Sequence, residues 1–178
     1  MFVSIVALIF ILIVVLLLIS YALSGFSIAP WIPCKEKDLE RINKLADLKP
    51  GQIFYELGCG DGRVSRYIAM KNPDVKVIGI EIFLPVFLLA KIISLFQSHK
   101  NLTIKFGDAF KENLNGADVV YTFALSETIN GRLKSKFEKQ LKKGAKVISY
   151  VFSIKNWSGN QSVNKLTKNG FSIFTYEC

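Results

Sequence analysis

No residue before Lys35 carries a charge, so all 23 Lys and Arg and all 14 Asp and Glu lie in residues 35–178. The formal net charge of +9 therefore belongs to that part alone. Cysteine is scarce: Cys34, Cys59 and Cys178 are odd in number and widely spaced. They argue against a disulfide framework and offer no metal-ligand spacing, so no metal is expected, and they suit a reducing compartment. The single histidine, His99, stands beside Lys100 at the end of an expected helix, where a protonated imidazole complements the helix dipole. No catalytic triad is found, no internal repeat and no low-complexity tract. A length of 178 residues suits one domain, with little left for a second domain or a large cap over a substrate.

From Phe2 to Ile19 every residue is apolar except Ser4. A helix of some 20 such residues spans the roughly 30 Å hydrocarbon layer, so one transmembrane helix is expected. A cleaved signal peptide needs a basic stretch ahead of the apolar run, which Met1-Phe2-Val3 lacks, although Ala22-Leu23-Ser24 resembles a weak cleavage site. Pro33 disfavours lipidation at Cys34. Lys35, Lys37, Arg41 and Lys44 cluster after the span and nothing basic precedes it, which orients the following domain to the cytoplasm as a single-pass membrane protein. The expected organisation is a membrane anchor at 1–24, a linker and amphipathic helix at 25–50, and the main domain at 51–178. In the linker, Trp31 suits either the headgroup level or packing beneath the domain. Leu39, Ile42, Leu45 and Leu48 recur at helical spacing until Pro50-Gly51.

Beyond that point the chain alternates. Strands are expected at 52–57, 75–80, 102–106, 117–123 and 145–152, and helices at 63–71, 84–98 and 129–143, the last ended by Gly144. This alternation predicts an α/β fold, a mostly parallel sheet with helices on both faces. The tail differs: 163–166 and 171–176 flank Lys168-Asn169-Gly170, whose Asn-Gly pair favours a tight hairpin turn.

The most informative stretch is Glu56-Leu57-Gly58-Cys59-Gly60-Asp61-Gly62-Arg63, at the junction of the first strand and the next helix. Glycines there permit a sharp turn and close approach of a ligand, and a helix N-terminus favours anionic groups. Dinucleotide loops read G-x-G-x-x-G, whereas Gly58, Gly60 and Gly62 alternate and Arg63 takes the third glycine's place. Glu81 ends the second strand, where a carboxylate can accept both hydroxyls of a ribose. Asp108 follows the third strand, where an acid can meet an adenine amino group. Cys59, inside the loop, reads as filling a small space rather than as a reactive thiol.

The Glu56–Arg63 stretch resembles motif I of class I S-adenosylmethionine-dependent methyltransferases. Glu81 matches that superfamily's ribose-binding acid, and Asp108-Ala109 its adenine segment. The resemblance implies a Rossmann-like sheet of seven strands with an antiparallel C-terminal hairpin, and S-adenosylmethionine as cofactor. It assigns Glu56, Gly58, Gly60, Asp61 and Gly62 to the methionine end of the cofactor, with Phe123 as pocket floor. The apolar segment, the Pro30-Trp31-Ile32-Pro33 linker and the Asp61-Gly62-Arg63 ending together are similar to the membrane-anchored protein-lysine methyltransferases of mitochondrial carrier and ATP-synthase rotor proteins and their prokaryotic relatives. That implies a membrane-associated protein substrate methylated on lysine. A lipid, a quinone or another small molecule as acceptor, or cofactor binding without turnover, remain alternatives.

Other features have two readings each. Tyr121 and Glu127, near the end of the fourth strand, suit a substrate amine as well as a core tyrosine and a solvated glutamate. Arg132, Lys134, Lys136, Lys139, Lys142, Lys143 and Lys146 form either a solvated face or a surface for anionic headgroups; nucleic acid is not expected. Phe83 to Phe96 is apolar beyond one stripe, fitting a helix buried on two sides or one leaning on a bilayer.

Overall fold

The computed structural model describes residues 2–24, 32–165 and 170–178, and within the first helix the side chains of 5–16, 18 and 19. The helices are α1 (Phe2–Ser24), α2 (Glu36–Ala46), α3 (Arg63–Lys71), α4 (Leu84–Phe96), α5 (Ser126–Thr128) and α6 (Lys134–Gln140), the last two joined by a π-helical turn at Ile129–Leu133. The strands are β1 (Ile53–Leu57), β2 (Lys76–Glu81), β3 (Leu102–Phe106), β4 (Val119–Thr122), β5 (Lys146–Tyr150), β6 (Gln161–Asn164) and β7 (Ile173–Glu177). They form one sheet in the order β3-β2-β1-β4-β5-β7-β6. Strands β1 to β5 pair in parallel. Strand β7 runs antiparallel to both β5 and β6 and is inserted between them, the Rossmann-like arrangement the resemblance implied.

Side-chain alternation splits the core over two faces. On one, Tyr55, Leu57, Ile78, Val120 and Val147 pack against Ile129, Leu133 and Phe137. On the other, Phe54, Val77, Val119, Ile148 and Tyr150 meet Ile42 and Ala46 of α2 and Val64 and Ile68 of α3. Gly79 of β2 lets α3 approach: a Cβ there would lie 2.8 Å from Ser65 Oγ and 2.9 Å from Ile104 Cδ1. Helix α2 carries Glu36 and Asp38 in its first turn and Lys44 in its last, the signs its dipole favours.

Several expectations are corrected. The last long helix stops at Gln140, not Lys143, and is not continuous. Asn130 Nδ2 donates to the Ser126 carbonyl, which an α-helix would give to the amide four residues on, and also to the Ser153 carbonyl; a π turn results. The C-terminal pairing starts earlier than expected, at Gln161, and places Asn164 opposite Ile173. Lys168 and Asn169 lie outside the described residues, as do Trp31 and linker residues 25–31.

The basic run is exposed at Arg132, Lys139, Lys142 and Lys143, but several of its members are held by the fold. Lys136 is buried and donates to the Phe110 and Glu112 carbonyls, and Lys146 donates to the Leu45 and Ala46 carbonyls at the end of α2. Lys142 pairs with Asp118 at 2.6 Å, Lys134 donates to the Asn156 carbonyl, and Arg132 stacks 3.6 Å from the Phe110 ring centroid. Helix α4 is not buried on two sides either: Val86 and Ala90 alone are buried, while Leu88, Ile92, Leu95 and Phe96 are exposed.

Helix α1 forms over the apolar run, touches α4, and exposes its described side chains. Among the described residues no helix is long and apolar enough to cross a membrane.

Candidate active site

Strand β1 ends where the chain must reverse into α3, and the loop does so through three left-handed residues. Gly58, Gly60 and Gly62 have φ of 74°, 56° and 75°, a region that side chains with a Cβ rarely adopt. The amides of Gly58 and Cys59 both donate to the Ile80 carbonyl at 2.9 Å, tying the loop to β2. That brings the Gly60 amide to Glu81 Oε2 at 2.9 Å, while Glu81 Oε1 accepts from the Phe83 amide at 2.8 Å. Glu81 is nearly buried at the carboxyl end of β2. Burial pushes its carboxyl above the ordinary range against the pull of the Phe83, Gly60 and Ile82 amides.

Glu56 sits one layer below the loop. Its Oε2 accepts from the Ser65 amide at 2.8 Å and the Ser65 hydroxyl at 2.5 Å. Complete burial outweighs those donors and raises the carboxyl to about 8, with the charge of Asp61 adding to the rise. Asp61 turns away to Arg63, accepting from Nη2 at 2.8 Å and from Nε at 3.1 Å on the same oxygen. Arg63 Nη1 also donates to the Cys34 carbonyl at 3.1 Å, and Arg66 donates to the Asp61 carbonyl. Cys59 fills the space inside the loop; burial, then the charges of Glu56, Glu81 and Asp61, keep its thiol protonated.

Asp108 follows β3, half-buried, with Oδ1 accepting from the Phe110 amide at 2.9 Å. Phe123 follows β4, whose Thr122 pairs with Leu57, so Phe123 stands level with the loop. It meets Tyr150 edge-on at 5.0 Å between centroids. Glu127 is exposed on α5, away from buried company. Tyr121 is buried in β4, and its hydroxyl has no hydrogen-bond partner among the described residues. Glu56, Gly58, Gly60, Gly62, Glu81, Asp108 and Phe123 thus converge on the carboxyl edge of one parallel sheet, where open α/β sheets bind ligands.

The ANTKMT methyltransferase domain matches residues 56–161. A protein-lysine N-methyltransferase of Saccharolobus islandicus (strain REY15A) is 33% identical over 136 residues, which cover 75% of this chain and 83% of that protein. The chain belongs to the ANTKMT methyltransferase domain family. It is a class I S-adenosylmethionine-dependent methyltransferase, and S-adenosylmethionine is its cofactor. A shorter match, 30% identical over 71 residues, is to a tRNA (guanine-N(7)-)-methyltransferase of Campylobacter jejuni; it covers 40% of this chain and 18% of that one. Among solved structures, an RNA methyltransferase from Salinibacter ruber in complex with S-adenosyl-L-homocysteine superposes with a TM-score of 0.75 at 24% identity, covering 82% of this chain and 93% of that chain. A precorrin-6y C5,15-methyltransferase from Geobacter metallireducens GS-15 superposes with a TM-score of 0.63 at 13% identity, over 85% and 93%. These two likenesses concern the fold.

The site of this methyltransferase fits the cofactor on its own geometry. Three left-handed glycines open the backbone, Glu81 ends β2, and Asp108 stands two residues past β3. What sequence reasoning missed are the residues that hold the acids. Ser65 clamps Glu56 and Arg63 clamps Asp61, so Asp61 shapes the loop rather than offering a free charge. A second cluster also escaped: Asp38 of α2 is fully buried and accepts from the Tyr150 hydroxyl at 2.6 Å and from Arg41 at 2.7 Å. Arg41 in turn donates to Asn164 and to the Phe171 carbonyl, knitting α2 to the C-terminal hairpin. The only trace of it in the sequence is an acid in the first turn of α2, a placement the helix dipole alone would account for.

Proposed function

We propose that this methyltransferase is anchored to a membrane through residues 1–24 and methylates a lysine side chain of a membrane-associated protein, with its catalytic domain on the cytoplasmic side. One observation carries the acceptor class: the Saccharolobus islandicus relative, alike over three quarters of this chain, is a protein-lysine N-methyltransferase. The architecture supports it. The segments after β4 and β5 are short, and small ligands are usually largely enclosed by their pockets, so an open edge suits a protruding side chain better. The anchor rests on the sequence and on helix α1.

When bound, the cofactor supplies a methyl group already activated on a sulfonium, so acid–base demands on the protein are small. Glu81 would accept the ribose hydroxyls, Gly58, Gly60 and Gly62 would admit the ligand to the backbone, and Glu56 would face its positive charges from below the loop. Asp108 stands toward the adenine. Phe123, backed edge-on by buried Tyr150, would give an apolar wall against which an incoming lysine sheds water; desolvation favours its neutral, nucleophilic form. Alignment of donor and acceptor then does most of the catalysis.

Membranes incubated with the enzyme and methyl-labelled cofactor test the reading. Label recovered on protein lysines is the expected result. Label in extracted lipid or a small molecule overturns the acceptor class and leaves the cofactor assignments standing.

A further inference from the structure

The outer face of α4 presents Leu88, Leu89, Ile92, Leu95 and Phe96 to solvent, with Phe106 of β3 beside them. Exposure reaches 78% at Leu95 and 86% at Phe96, far beyond what isolated surface hydrophobes require. The surrounding sequence is one-sided in charge: between Glu81 and Asp108 there is no acid, while Lys91 and Lys100 are exposed. Apolar side chains on one helix face, lysines at its margin and no carboxylate describe a helix lying in the headgroup layer of an anionic bilayer. Helix α1, apolar from Phe2 to Ile19 except for Ser4, touches α4.

We infer that α4 is a second, interfacial membrane contact, resting its outer face on the bilayer while α1 anchors the chain. This rests on the membrane reading above. The Lys91 ammonium, 5.9 Å from the Phe87 ring centroid, lies at the edge of the patch, where a snorkelling lysine meets lipid phosphate. Because α4 begins directly after Glu81, the contact fixes the ribose-binding end of the site close to the membrane surface. The methyltransferase then works at a set height instead of swinging on its linker.

The test uses the full chain in vesicles of phosphatidylcholine and phosphatidylglycerol containing brominated phosphatidylcholine, which quenches tryptophan near lipid. Phe96→Trp and, as a second variant, Leu95→Trp should each lose about half of the emission they add, at the ~5–10 Å depth of an interfacial helix. Lys139→Trp, on exposed α6 across the sheet, should lose almost none. Alkaline carbonate extraction of the same vesicles reports the anchor separately. Retention with strong quenching at 95 and 96 supports the proposal. Retention with quenching no greater than at 139 overturns the α4 contact and leaves the anchor. A concentration-dependent blue shift without bromine quenching assigns the face to a second copy and also overturns it. Release by carbonate overturns anchor and contact together.

Discussion

If Glu56 lies under the positive charges of the cofactor, binding must be linked to proton release. Its buried carboxyl titrates at about 8 in the free protein, against 4.5 ordinarily, so roughly nine in ten molecules hold that proton at pH 7. A cation placed above it favours the carboxylate and expels the proton. Affinity should therefore climb about tenfold per pH unit from pH 5.5 to 7, with close to one proton released per cofactor bound at pH 7. Titration calorimetry of the detergent-solubilised chain, in buffers of different ionisation enthalpy, reads both quantities. Glu56→Gln keeps the shape and should abolish the pH slope and the proton release. The free protein supplies the converse. An unfolded glutamate gives up its proton near 4.5 while the folded one keeps it to about 8, so the folded state binds more protons in that window. Stability from this group is full below about pH 4.5 and falls as pH rises to 8, by about 5 kcal/mol at ~1.4 kcal/mol per unit. Glu56→Gln should flatten that decline in denaturant melts. Identical slopes and proton counts for both chains would refute the placement of Glu56 beneath the cofactor.

Glu81→Ala removes the acceptor for the Gly60 and Phe83 amides as well as for ribose, and should weaken cofactor binding at least tenfold, about 1.5–3 kcal/mol per charged hydrogen bond, in a domain that still folds by circular dichroism. Tyr121→Phe deletes a buried hydroxyl that has no partner among the described residues and should stabilise the fold by about 1 kcal/mol in urea melts, with turnover unchanged; a large loss of turnover would assign the hydroxyl to the acceptor instead. Asp38→Ala takes the buried carboxylate from Arg41 and leaves the buried Tyr150 hydroxyl without its acceptor, and should cost about 3–5 kcal/mol, far more than Lys139→Ala at an exposed position of α6. An alkaline phosphatase fused after Cys178 should be inactive in a bacterial host and a fluorescent protein there should glow; the opposite pattern contradicts a cytoplasmic domain.

The parallel sheet was legible because its strands are short apolar runs punctuated by turn residues, and each expected strand from β1 to β5 is present within one or two residues. The glycine loop was legible for a stricter reason: Gly58, Gly60 and Gly62 occupy backbone conformations other residues rarely take, so local sequence carries the geometry. Glu81 was legible as the end of a strand. What stayed hidden are pairings between distant residues, such as Asp38 with Tyr150 and Asn130 with Ser153, which leave no periodic trace. Charge was the poorest guide. Lys136 and Lys146 read as solvated cations, but carbonyls brought together by the fold hold them.

The hydrogen bond from Arg63 to the Cys34 carbonyl sets a ruler. It pins Cys34 to the same guanidinium that braces Asp61, so the tether and the cofactor loop share a fixed point. Helix α1 ends at Ser24, and ten peptide steps separate it from Cys34. Fully extended, that length of chain reaches at most about 36 Å. For an enzyme held in a bilayer by α1, the glycine loop then stays within that distance of the membrane boundary. A lysine carried on a long extramembrane domain would lie out of reach, and the acceptors open to this site are those that present their lysine near the lipid surface.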